Sequence, residues 1–216
     1  MKLTTPETPA EYFRKTEPAV QHAYGGLGSC WSYYKEALQH TTRPIERDGY
    51  YVFEPAKTPE EKARVDRYLE LAGKYFELKI SEAIFAGSIL QAAYTAIRLY
   101  SRNETIPPNC AKLVEPNQKI AISFCIGKER HGIPTGLIIY AGRNQYNHWD
   151  EESLHSPTRE IFNALSLAFL ENPLSDLAFD LSNPTIPIYA YEILFTALGW
   201  ESYEKYLDGM TELLPQ

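Results

Sequence analysis

Thr58-Pro59-Glu60-Glu61, followed by Val65, Leu69, Ala72, Phe76, Ile80, Ala83, Gly87, Leu90, Tyr94 and Ile97, is the stretch that decides the fold. A hydroxyl residue, a proline at the first helical position and two acids that oppose the helix dipole spell a helix start. The apolar residues behind it recur at spacings of three and four, which is one stripe down a helix. The stripe predicts a long central helix from 58 to about Arg102, roughly 65 Å if straight, with a bend near Gly73. Ala83, Ala86, Gly87, Ala92, Ala93 and Ala96 make its second half slim, suited to close packing against another helix.

Outward from this stretch the pattern stays helical. Val20, Tyr24, Leu27, Trp31, Tyr34 and Leu38 predict a helix over about 19–40, weakened by Gly25, Gly26 and Gly28. Residues 1–18 hold Pro6, Pro9 and Pro18 and read as an extended N-terminal arm. Residues 41–58 are a loop with a candidate strand at Tyr50–Phe53. Residues 118–127 alternate like a strand, but their helical surroundings favour a helix. Ser156-Pro157-Thr158-Arg159-Glu160 starts a helix to about Glu171, Pro184 and Pro187 punctuate a loop, and Tyr189–Leu198 and Glu201–Leu214 close the chain as helices jointed at Gly199. The expected architecture is mainly α: a helical bundle with a minor strand or hairpin, the arm at 1–18 and a single helical domain over 19–216.

The chain has 216 residues, 44% of them hydrophobic and 13% aromatic, which supports a real core and excludes a disordered segment. The net charge of −7 argues against a protein that grips nucleic acid by bulk charge. That charge is uneven: residues 1–143 carry 19 basic and 16 acidic side chains, net +3, and residues 144–216 carry 2 and 12, net −10. The N-terminus lacks the pattern of a signal peptide, and the sequence reads as free of membrane spans. Cys30, Cys110 and Cys125 form no close pair in sequence and suit a reducing compartment. The expectation is a cytoplasmic protein with no membrane partner.

The residues that carry chemistry sit where the charge divides. Residues 141–152 read Ala-Gly-Arg-Asn-Gln-Tyr-Asn-His-Trp-Asp-Glu-Glu. With ten arginines, eight asparagines and five histidines in the chain, an Arg-Asn followed by His at this offset arises by chance about 0.01 times. An arginine fork stabilises charge building on a phosphate, and an imidazole moves a proton near neutral pH, so the pair suits phosphodiester chemistry. Residues five apart on an ideal helix lie about 140° apart around the axis. Convergence of Arg143 and His148 therefore asks for the long arginine stem, a helix end or a second copy of the motif.

Arg143-Asn144-Gln145-Tyr146-Asn147-His148, preceded by Ala-Gly and set among helices, resembles the signature of the HEPN superfamily, the higher-eukaryote and prokaryote nucleotide-binding domain. The resemblance implies a helical bundle that dimerises so that two motifs face one another. Many members are metal-independent endoribonucleases of toxin–antitoxin or phage-defence systems, and others are non-catalytic binding modules. Carried over residue by residue, Arg143 would stabilise the phosphate, His148 would be the acid/base and Asn144 the supporting polar residue. The RNA's own 2′-hydroxyl would attack and leave a 2′,3′-cyclic phosphate, with no metal or cofactor. The resemblance also implies RNA or a nucleotide as ligand, a homodimer, and an antitoxin-like protein as a partner. Some family toxins carry a tyrosine two positions after the histidine; Asp150 stands there in this chain.

Asp150, Glu151 and Glu152 are poor company for a polyanion, so Arg98, Arg102, Lys128, Arg130 and Trp149 are the candidate substrate-binding residues. A plainer possibility is a surface ion-pair cluster joining Arg143 and His148 to Asp150 and Glu151. A metal site built from His148, Asp150, Glu151 and His155 lacks a compact ligand motif. Gly25-Gly26-Leu27-Gly28-Ser29 completes neither a dinucleotide nor a phosphate-loop pattern, and Ser29 sits in no nucleophile elbow. The second reading is therefore a non-catalytic nucleotide-binding, RNA-binding or protein-docking helical module.

Overall fold

A computed structural model of the protein describes residues 6–40, the backbone of 45–47 and 50–52, and residues 58–151, 153–169, 179–182 and 188–214. The expectations for residues 1–5, Phe53, Glu152, Pro184, Pro187 and the helix end at Glu171 lie outside the described residues. The fold is mainly α-helical with small antiparallel strand pairs. The chain divides into two compact units, residues 1–24 with 83–216 and residues 25–82.

Helix α1 runs Pro9–Leu38, so residues 9–18 are its first turns and not part of an extended arm. Pro9 occupies the first turn, where its missing N–H removes no intrahelical bond. Thr8 Oγ1 accepts from the Glu11 amide at 3.2 Å, and the Glu11 carboxylate accepts from the Glu7 amide at 2.8 Å. Pro18 sits inside the helix and removes one hydrogen bond. Burial of Tyr12, Phe13 and Val20 outweighs that loss, and the Tyr12 hydroxyl donates to the Ala92 carbonyl at 2.9 Å.

In the unit 25–82, β1 (Ile45–Arg47) pairs antiparallel with β2 (Tyr50–Val52), Ile45 opposite Val52. Helix α2, Pro59–Glu77, starts with the full reciprocal cap: Thr58 accepts from the Glu61 amide and Glu61 from the Thr58 amide. The end of α1 runs alongside α2, with the Tyr34 and Tyr75 ring centroids 5.1 Å apart and the Arg67 guanidinium 2.5 Å from Glu36. The expected unbroken helix to Arg102 is interrupted, at Leu78 rather than at Gly73, and α3 spans Lys79–Tyr100. The joint is held by polar groups: buried Glu82 accepts from the Tyr75 hydroxyl at 3.0 Å and from Lys79. Gly73 stays within α2.

In the larger unit the short α4 (Lys119–Ile122) replaces the longer helix expected over 118–127. Asn103 Nδ2 donates to the Ile122 carbonyl at 2.6 Å and closes its end. A two-residue turn at His131-Gly132, φ 55° and 75°, joins β3 (Glu129–Arg130) to β4 (Ile133–Pro134). Helix α5, Thr135–Asn147, follows and carries the motif. Helix α6 spans Thr158–Phe169; α7, Ala190–Glu192, widens into a π turn over Ile193–Ala197; α8 spans Tyr203–Leu213, capped by Ser202. The closing helices and the joint at Gly199 lie where the sequence puts them.

Helix α5 is the hub of this unit. Leu137, Ile138, Ile139 and Ala141 are wholly buried, as are Ile89, Leu90, Ala93 and Ile97 of α3, Ile161, Phe162 and Leu165 of α6, and Ile193 and Leu194 of the π turn. A Cβ on Gly142 would stand 2.6 Å from Ile193 Cγ2, and one on Gly87 would stand 2.5 Å from the Tyr146 ring. Only hydrogen fits at either place. Helix α3 is long and apolar enough to cross a membrane by length and composition alone, and half of that stretch is buried within the fold. Cys30, Cys110 and Cys125 are buried free thiols, and burial raises that of Cys125 to about 12.

Candidate functional site

The motif occupies the last two turns of α5 and its exit. Gln145 and Gly142 are buried, Arg143, Asn144 and Tyr146 half-buried, and Asn147 to Asp150 exposed. This gradient follows from the helix emerging from its neighbours at its C-terminal end.

Arg143 faces α3. Its Nε donates to Gln91 Oε1 at 2.8 Å, its Nη1 donates to Asn144 Oδ1 at 3.1 Å, and the guanidinium lies 4.6 Å from the Tyr94 ring centroid. Gln91 and Asn144 thus take two of its five donors, and the ring supports the planar group by cation–π attraction. Asn144 also donates to Thr158 Oγ1 of α6 at 3.4 Å. The Tyr94 ring packs on Phe124 at 4.7 Å, and Phe124 on Tyr140 at 5.2 Å. Burial lifts the Tyr140 phenol above its usual value; a hydrogen bond with Asn144 and the charges of Arg143 and Arg98 pull the other way. Arg98, one turn beyond Tyr94 on α3, is exposed.

His148 is elsewhere on the helix. It caps α5, its amide donating to the Asn144 and Gln145 carbonyls at 3.1 and 3.3 Å. Its Nδ1 lies 2.6 Å from Glu151 Oε1, both side chains being close to half exposed. A carboxylate on Nδ1 sets the ring orientation and makes Nε2 the nitrogen that exchanges protons. Arg143 and His148 engage different partners, Gln91, Asn144 and Tyr94 for the one and Glu151 for the other. Of the ion-pair alternative, the His148–Glu151 half is present; Arg143 is held by amides and an aromatic ring instead. Trp149, beside them in sequence, is 51% exposed.

The other predicted residues scatter. Arg102 lines a cleft of about 810 Å³ with Pro6 to Ala10, Asn103 and Leu214. Lys128 and Arg130 line a smaller one of about 290 Å³ with Trp200 and Glu212, where Lys128 pairs with Glu212 at 2.5 Å. Among the described residues no group of three or more His, Cys, Asp or Glu side chains is placed to hold a metal.

Three residues of the cluster carry no signal in the motif. Gln91 and Tyr94 hold Arg143 from α3; Tyr94 belongs to the apolar stripe and Gln91 directly follows its Leu90. Gln145, inside the motif, is 3% exposed and accepts from the Tyr189 amide at 2.9 Å, tying α5 to the start of α7. Comparison of the chain with family models, curated proteins and solved structures finds no match.

Proposed function

We propose that this protein is a metal-independent endoribonuclease that works as a homodimer, with His148 as the acid/base and Arg143 stabilising the phosphate. The observation that carries the reading is the His148–Glu151 pair: an exposed imidazole with Nδ1 fixed at 2.6 Å by a carboxylate, on the helix that also carries a fixed arginine. Glu151 favours the tautomer and ring position a proton carrier needs, as an orienting acid does in hydrolase triads. The RNA 2′-oxygen would form a bond to the adjacent phosphorus, the P–O5′ bond would break, and the products would be a 2′,3′-cyclic phosphate and a 5′-hydroxyl. Protons would leave the 2′-oxygen and reach the 5′-oxygen through imidazole Nε2. Because Arg143 and His148 engage different partners within one chain, the reading has the two copies of the motif meet across a dimer.

The test is cleavage of single-stranded RNA in EDTA. The wild-type chain should cut and leave cyclic phosphate ends; His148→Ala should lose on the order of a hundredfold or more with its fold intact. Undiminished cutting by that variant overturns the reading.

A second reading, binding without cleavage, is favoured by the Arg143 cluster. Arg143, Tyr94 and Asn144 combine a guanidinium group with an aromatic face and an amide, and Arg98 lies one turn beyond Tyr94 on the same helix, which suits a nucleotide's phosphate and base. This reading expects nucleotide or RNA binding that weakens in Arg98→Ala, with no turnover in either protein.

A further inference from the structure

We propose that residues 179–182 are a latch: seated on Tyr189, they fix the end of α5 that carries the motif, and unseated they free it. Phe179 has a φ of 62°, where an L side chain crowds its own backbone, and it is nonetheless only 1% exposed. An aromatic residue keeps that conformation only while its surroundings impose it. The surroundings here are three rings, with centroids at 5.0 Å for Phe169, 6.1 Å for the stacked Tyr189 and 6.3 Å for Phe162. Burial of the ring draws the segment in, and backbone strain drives it out. The seated and unseated states therefore differ by the balance of two opposing terms rather than by a whole core contact.

Tyr189 joins the latch to the motif. Its hydroxyl donates to the Asp180 carbonyl, and the Asp180 carboxylate closes the turn by accepting from the Ser182 amide at 2.8 Å and the Ser182 hydroxyl at 2.7 Å. The Tyr189 amide donates to Gln145 Oε1 at 2.9 Å, with both residues buried. The Gln145 carbonyl in turn accepts from the His148 amide at 3.3 Å. One run of hydrogen bonds, from Asp180 through Tyr189 and Gln145 to His148, thus connects the strained segment to the exit of α5. A buried bond in such a run has no replacement from water, so a shift at one end is felt at the next donor. Phe179 and Tyr189 act through Gln145 and are positioning residues. The latch holds or fails whether or not His148 cleaves RNA.

Amide hydrogen exchange on the full chain, resolved by residue, tests the coupling. Phe179→Ala empties the seat and should speed exchange at the Tyr189 and His148 amides about tenfold, while Ile89, Leu90 and Ile97 of α3 keep their wild-type rates. Tyr189→Phe keeps the ring and the amide, removes the bond to Asp180, and should speed the His148 amide by a smaller factor, about threefold. Gln145→Ala alone should match Phe179→Ala at His148. The double variant should exchange there no faster than the faster single one, because both changes break the same run. An unchanged His148 rate in Phe179→Ala, a rise of equal size in α3, or multiplied effects in the double variant overturns the proposal. Should Phe179→Ala lose its helical circular dichroism, Tyr189→Phe carries the test, and an unchanged His148 rate in that variant overturns the proposal as well.

Discussion

The two halves of the motif live in different environments. Arg143, Asn144, Gln145 and Tyr146 bind α5 to three neighbours: α3 through Gln91, Tyr94 and Gly87, α6 through Thr158, and the start of α7 through the Tyr189 amide. Asn147, His148, Trp149 and Asp150 extend past that packing, and the His148 ring pairs with the nearby Glu151 carboxylate. A run of residues that looks uniform in sequence thus divides at the helix exit into a part that holds the fold and a part open to chemistry. Loss of function after substitution in the first half mixes two causes. Loss after substitution in the second half isolates one.

That division predicts a falling series of stability effects among residues 142–148, measured by denaturant unfolding. Gly142→Val should cost the most, about 3 kcal/mol, because its side chain would overlap Ile193 in a packed interior. Gln145→Ala should cost about 2 kcal/mol by leaving the buried Tyr189 amide without its acceptor. Arg143→Lys should cost about 1 kcal/mol: the ammonium cannot keep the planar stacking on Tyr94 together with the bond to Gln91. His148→Ala should change stability by less than about 0.5 kcal/mol, as expected of an exposed position. A cost at His148 as large as at Gln145 would erase the distinction between the halves.

Much of this fold is legible in the sequence, because capping and periodicity are local. Thr58-Pro59-Glu60-Glu61 announces α2, and the joint at Gly199 follows from its positive φ of 64°. The start of α1 shows how such a signal is overlooked. Thr8-Pro9-Ala10-Glu11 repeats the Thr-Pro-x-Glu signature of α2, yet three prolines in eighteen residues favour an extended arm. Pro18 is tolerated inside α1 because tertiary burial of Tyr12, Phe13 and Val20 outweighs one missing bond. The joint at Leu78 was not legible: it depends on Glu82 being drawn inside by Tyr75 and Lys79, a contact no spacing announces. In the candidate site, the residue types of the motif are visible in sequence, whereas their supports are not. Gln91 and Tyr94 lie some fifty residues before Arg143 and reach it only because α3 and α5 pack together in the fold.

The proposal that the exposed half does chemistry rests on one imidazole, and one measurement reaches it most directly. Purified wild-type protein and His148→Ala, matched for unfolding stability, are incubated with single-stranded RNA in EDTA and the product ends analysed. The expected result is cleavage with 2′,3′-cyclic phosphate ends by the wild type and a loss on the order of a hundredfold or more in the variant. Equal cleavage by the two proteins, or no cleavage by a folded, dimeric wild type, would contradict the role assigned to His148.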